Sequence, residues 1–176
     1  MIVLGIDPGI AIVGWGVIDY QGMAVKPRAL GYGAITTGSD MKTEDRLACV
    51  YNELSEIIEK YGPEAASIEE LFFNTNQKTG IIVAEARGCI ILSLKLRGVP
   101  IFEYTPLQIK ESVAGYGRAT KKQVIDMVTM LLNLKEKPKP DDVADAIAAA
   151  ICHAHTGSSR IAKYFNKPTS MAGKIK

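Results

Sequence analysis

The first nine residues constrain the fold more than any other stretch. Met1-Ile2-Val3-Leu4-Gly5-Ile6 is a short, apolar, β-branched run that ends on Asp7 and is stopped by Pro8 and Gly9, so it reads as a strand ending at the acid. Pro8 fixes its own φ and Gly9 can take a conformation that a side chain resists, so the turn holds Asp7 in place. Taken alone, Gly5-Ile6-Asp7-Pro8-Gly9 fits an ordinary turn aspartate as well as a catalytic one. The choice depends on what the rest of the chain brings to Asp7.

Two further extended stretches come next, Ile12 to Asp19 and Ala29 to Thr36. With short links between them, they predict an antiparallel meander whose first member carries Asp7. Gly14 and Gly16 weaken their strand and mark either close backbone approach or plain bulges. Thr43 with Glu44 and Asp45 predicts a capped helix start, and apolar residues at helical spacing carry that helix to Tyr61, where Gly62-Pro63 stops it. Ala65 to Glu69 then reads as a strand parallel to the first, delivering Glu69 and Glu70 at its end. Past Leu71 to Gln77, a helix from about Lys78 to Lys95 is apolar over so much of its surface that it needs cover on several sides. That cover is either a second copy of the chain or the core of a monomer. Val99 to Tyr104 is a fifth strand, Pro106 opens a short helix, Thr120 caps another, and a helix from Asp141 or Asp142 to about His155 ends the organised part.

Asp142 and Asp145 are three apart, on one face at the start of that last helix. Two acids in a first turn serve capping as readily as metal binding. The adjoining stretch from Ala146 to Ile151 is almost wholly apolar, so the helix should lie on the sheet with Asp145 directed toward the sheet edge. If the first and fourth strands are parallel neighbours, Asp7 and Glu69 stand side by side with Asp142 and Asp145 above them. Strand alternation allows only one of Glu69 and Glu70 to join Asp7, and the spacing does not choose. Four crowded carboxylates repel one another without cations, and Mg²⁺ or Mn²⁺ is the natural complement. Two ions about 4 Å apart could then activate a water and steady a leaving 3′ oxygen, the outline of a nuclease. His153 lies about 12 Å along the helix from Asp145 and cannot share its ions; it and His155 are read as structural or surface residues.

Gly5-Ile6-Asp7-Pro8-Gly9, Ile68-Glu69 with Leu71-Phe72, Glu85-Ala86-Arg87-Gly88, Phe102-Glu103-Tyr104 and Asp142 through Ala146, in this order and at these distances, resemble the RuvC family of bacterial Holliday junction resolvases from about Ile2 to His155. The resemblance implies an α/β, ribonuclease H-like fold with a mixed five-stranded sheet, a three-strand meander plus two parallel strands, flanked by helices. It implies a homodimer that binds a four-way DNA junction and nicks two opposed strands, leaving 5′-phosphate and 3′-hydroxyl ends, in recombination and repair. The family's four catalytic acids match Asp7, Glu69, Asp142 and Asp145, which decides for Glu69, with Mg²⁺ as cofactor (Mn²⁺ as substitute) and two ions per subunit. Its two basic positions match Lys110 and Lys121, near backbone phosphates, with Lys121 steadying the scissile one. Phe72 matches the aromatic that stacks on a base at the junction centre, with Phe73 as its helper or a core residue. Arg118 and Lys122 are candidate added phosphate contacts. Coupling to the branch-migration machinery is implied as well.

Whole-chain figures agree with such a protein without demanding it. At 176 residues and 47% hydrophobic, one well-filled domain is expected, residues 1–157. The remaining 158–176 carry five basic residues and no acid. They form a basic tail expected to stay disordered until something orders it, and they leave an acidic body beneath a total charge of only +2. Cys49, Cys89 and Cys152 form no metal or disulfide pattern, and no run reaches the length of a membrane span, so a cytoplasmic protein is expected. A sugar-kinase-like phosphotransferase would need a second nucleotide-holding domain. A non-cleaving junction binder would have lost one or more of the four acids. A nuclease for RNA/DNA hybrids would use the same metal chemistry.

Overall fold

The computed structural model describes residues 1–70 and 77–157, with the side chains of 77–79 left aside. Strands β1 (Ile2–Asp7), β2 (Ile12–Asp19) and β3 (Arg28–Thr36) form the meander. Helix α1 (Thr43–Tyr61) leads to β4 (Ala65–Glu69), and α2 (Gln77–Leu96) leads to β5 (Ile101–Tyr104). Three helices end the described residues: α3 (Pro106–Ala114), α4 (Lys121–Leu131) and α5 (Asp141–Gly157). The sheet order is β3-β2-β1-β4-β5, with β1 antiparallel to β2 and parallel to β4, and β5 parallel to β4. The expected ribonuclease H-like arrangement is therefore present.

Strand alternation sorts the sheet into two faces. Leu4, Ile6, Val13, Val17 and Ile68 point to one side, where Val50, Leu54 and Ile58 of α1 and Ile90 and Leu94 of α2 cover them. Val3 and Ile18 point to the other and join the core built with α3, α4 and α5. Nearer the acids, that second face presents mainly glycines to α5. A Cβ added to Gly5 would lie 1.9 Å from the Ala146 carbonyl oxygen, one on Gly14 2.0 Å from that of Asp142, and one on Gly16 2.5 Å from Ile147 Cγ1. Gly14 and Gly16 thus mark close approach; the irregularity in the β2/β3 ladder falls at Val17/Ile18 instead. Ser67 Oγ donates a buried hydrogen bond of 2.7 Å to the Ala149 carbonyl, tying β4 to the middle of α5.

Several details depart from the sequence reading. Thr43 is not the cap of α1: Lys42 holds the N-cap position without a side-chain bond, and Thr43 is already helical. Gly62, at φ 55°, ends that helix as expected. Gly9 does not take a positive φ; it is needed because a Cβ there would lie 2.1 Å from the Ile12 carbonyl oxygen. β5 is shorter than predicted. The connector before α5 bends and contains a cis Lys139–Pro140 bond. Among the described residues, no helix is long and apolar enough to cross a membrane.

Candidate active site

The register brings the acids together. Ile6 pairs with Ile68, so Asp7 and Glu69 come next as neighbours at the carboxyl ends of β1 and β4. Alternation turns both toward α5, on the same side as Gly5 and Ser67. Asp7 also pairs across to Gly14, and Gly14 is the position against which the Asp142 backbone rests. The bare glycine therefore lets the first turn of α5 settle beside Asp7. Glu70 lies one residue further on, and its amide donates to the Tyr104 carbonyl.

The electrostatics of these groups stem from that crowding. The Asp7 carboxyl is pushed up to about 8, first by burial and then by the charges of Asp145, Glu69 and Asp142. Glu69 is raised by burial and by Asp145, against the pull of Lys110 and Lys121. Asp145 is raised as well: it lies 3.3 Å from the Lys121 ammonium, yet loss of water around it outweighs that attraction. Lys121 bonds more closely to Asp141, at 2.7 Å. This contact leads the forces that hold its ammonium above the usual lysine range and brings Asp141 below the usual carboxylate range.

A cleft of about 230 Å³ opens at this point, lined by Glu69, Asp145, Lys110 and Lys121 together with Pro106, Ile109 and Val124. Acids and ammonium groups thus share one opening, an arrangement suited to a phosphodiester held beside cations. All four acids offer hard oxygen donors, and a half-buried carboxyl as reluctant to ionise as Asp7 is a group a divalent cation would relieve, so the residues fit Mg²⁺ or Mn²⁺ in kind. Among the described residues, no three His, Cys, Asp or Glu side chains are gathered closely enough to enclose an ion. The carboxylates share one neighbourhood without forming a closed cage.

The other expected site residues divide. Lys110 reaches the cleft. Arg118 is exposed on the loop before α4, and Lys122 is exposed with its charge felt by Asp126; neither lines the cleft. Phe72 and Phe73 lie outside the described residues, as does the tail 158–176. His153 is buried: its Nδ1 shares a 2.8 Å hydrogen bond with the Tyr104 hydroxyl, and its ring lies 4.3 Å from that of Phe102. The sequence reading missed Asp141 as a partner of Lys121. The only signal for it was its place at the start of α5.

Comparison with known proteins closes the question of kinship. The profile of the family described as crossover junction endodeoxyribonuclease RuvC matches residues 3–153. The enzyme of that name from Alkaliphilus oremlandii is 59% identical over 158 residues, covering 90% of this chain and 95% of that protein. The solved structure of Thermus thermophilus RuvC superposes with a TM-score of 0.82 at 36% identity, covering 89% of this chain and 95% of that one. The T. thermophilus RuvC in complex with Holliday junction substrate gives 0.81 at 34%, with the same coverage. The chain belongs to the RuvC family of crossover junction endodeoxyribonucleases.

Proposed function

We propose that this endodeoxyribonuclease resolves four-way DNA junctions by metal-dependent hydrolysis, placing one nick in each of two opposed strands and leaving 5′-phosphate and 3′-hydroxyl ends. The observation that carries the reading is the convergence of Asp7 with Glu69, Asp142 and Asp145 beside Lys110 and Lys121. Asp7, Glu69, Asp142 and Asp145 would hold Mg²⁺ or Mn²⁺, two ions in the fullest form. When bound, the metal supplies charge neutralisation and an activated water. Lys121 and Lys110 draw the backbone phosphate into the cleft, and Lys121 offsets the charge that grows on it during cleavage. Pro106, Ile109 and Val124 give that cleft an apolar wall opposite its charged groups. Phe72, with Phe73 beside it, is the proposed stacking residue at the junction centre.

Paired nicks need two sites related by a twofold axis, and α2 offers a surface for a second copy. Ile81 (61% exposed), Leu92 (51%) and Leu96 (64%) recur on one side of it together with Gly88, where an added Cβ would meet nothing within 4 Å. The homodimer is therefore part of the proposal. Arg118, Lys122 and the basic residues of 158–176 would add salt-sensitive phosphate contacts. Coupling to branch-migration machinery, and a cytoplasmic setting, rest on the family resemblance.

The test is cleavage of labelled four-way junction, linear duplex and RNA/DNA hybrid, each with Mg²⁺ or EDTA. The expected outcome is Mg²⁺-dependent paired nicking of the junction alone and its loss in Asp7→Asn. Equal cutting of linear duplex, or activity kept by Asp7→Asn, would sink the assignment.

A further inference from the structure

Lys121 is the first residue of α4, and its backbone is fixed there by a reciprocal capping box: Thr120 Oγ1 accepts from the Gln123 amide while Gln123 Oε1 accepts from the Thr120 amide. A fixed backbone does not fix a lysine head, which sits on a flexible four-carbon stem and keeps many rotamers open. Lys121 is also half exposed, at 54% of its side chain. Asp141 supplies the restraint. It is the first residue of α5, lies outside the cleft lining that includes Lys121, and accepts from the ammonium at 2.7 Å, while Asp145 inside the cleft stands at 3.3 Å from the same nitrogen. The ammonium is thus gripped from without by a carboxylate outside the cleft lining, whose leading partner it is, and leans inward on one inside it.

We propose that Asp141 is a positioning residue for Lys121: it anchors the ammonium at the rim of the cleft, so that Lys121 stays in place when Asp145 turns to a cation and no longer attracts it. This rests on the nuclease reading above. Positive charge at Asp145 would repel an unanchored lysine into solvent, and a misplaced catalytic-site group loses much of its effect on rate.

Two measurements on the full chain test this. In EDTA, acetylation by an N-hydroxysuccinimide ester, read by mass spectrometry, should find Lys121 protected relative to its exposed neighbour Lys122. Asp141→Asn should raise the reactivity of Lys121 several-fold without changing that of Lys122; equal reactivity in both proteins overturns the proposal. In single-turnover junction cleavage, Asp141→Asn should be about ten-fold slower, Asp141→Glu should recover part of the loss, and Asp141→Asn should add nothing in a Lys121→Ala background. A further loss in that background would show that Asp141 acts on its own. The rise in melting temperature with Mg²⁺ alone should survive in Asp141→Asn; its disappearance would make Asp141 a metal ligand and overturn the positioning role. Should the wild-type protein fail to cut junctions, the nuclease reading falls, and the labelling result still decides whether Asp141 holds Lys121.

Discussion

The two faces of the sheet are built on opposite plans. Toward α1 and α2 the strands send out Leu4, Ile6, Val13, Val17 and Ile68, and the layers meet through interlocking aliphatic side chains. Toward α5 they send out Gly5, Gly14 and Gly16, and helix backbone rests nearly on strand backbone. The first plan tolerates small adjustments, because side chains can change rotamer and neighbours can shift. The second has little to adjust where Gly5 and Gly14 meet helix backbone, and it is the one that carries the acids. Stability can therefore be distributed over both faces while the spacing of the carboxylates depends on one.

The largest expected effect breaks that second plan. Gly14→Ala would place a methyl 2.0 Å from the Asp142 carbonyl oxygen and 2.4 Å from its carbon. Backbone must move, and we expect junction cleavage to fall about a hundred-fold from the misplaced acid, with a destabilisation of about 1–3 kcal/mol. Single-turnover rates and a urea titration would measure both. Leu54→Ala, on the other face, should destabilise by about 2–5 kcal/mol because Leu54 is fully buried. Its cleavage rate per folded molecule should nevertheless match the wild type. A rate loss there comparable to that of Gly14→Ala would erase the distinction between the faces.

A third prediction sharpens the contrast by sign. Asp7 binds its proton up to about pH 8 in the fold and only to about 3.9 in an unfolded chain. The folded state therefore binds more protons across that interval, and stability present below it is lost as pH rises through it. In EDTA at pH 7.5, Asp7→Asn should raise stability by several kcal/mol while abolishing cleavage. Mg²⁺ should raise the melting temperature of the wild type and not that of the variant. A destabilised Asp7→Asn would mean that the acids are not crowded.

The smallest effect concerns His153, on the α5 side but away from the acids. Burial lowers it to about 4, against about 6.5 when unfolded, so here the unfolded chain binds more protons and stability falls as pH drops from about 6.5 toward 4. Between pH 7 and pH 5 the loss should be on the order of 1–2 kcal/mol. His153→Phe should flatten that part of the pH profile, as read by denaturant midpoints.

The meander and a fourth strand parallel to the first were legible from turn residues and short links, the place of the fifth strand was not, and the apolar Ala146 to Ile151 marked a helix laid on the sheet. Asp7 was legible as a held acid, and Asp142 with Asp145 as a pair on one helical face. Other features required three dimensions. Whether Gly14 and Gly16 were bulges or contact points depended on a helix more than a hundred residues away. The grip of Asp141 on Lys121 joins the starts of two different helices, which no local spacing encodes. Thr43 was misread because a threonine before two acids suits both the cap and the first turn, and only the backbone at Lys42 decides.

The hydrogen bond from Ser67 to the Ala149 carbonyl has a mechanical consequence. A helix resting on glycines has a smooth track beneath it and could slide along its own axis. Even one residue's rise of travel, about 1.5 Å, would shift Asp142 and Asp145 against their partners while leaving an alanine-lined surface still covered. The serine acts as a detent: it engages a carbonyl in the middle of α5, and such a part-turn slide would strand its hydroxyl in a dry interior. One small polar contact thus fixes the stopping position of the helix, and with it the distance at which the two halves of the site face each other.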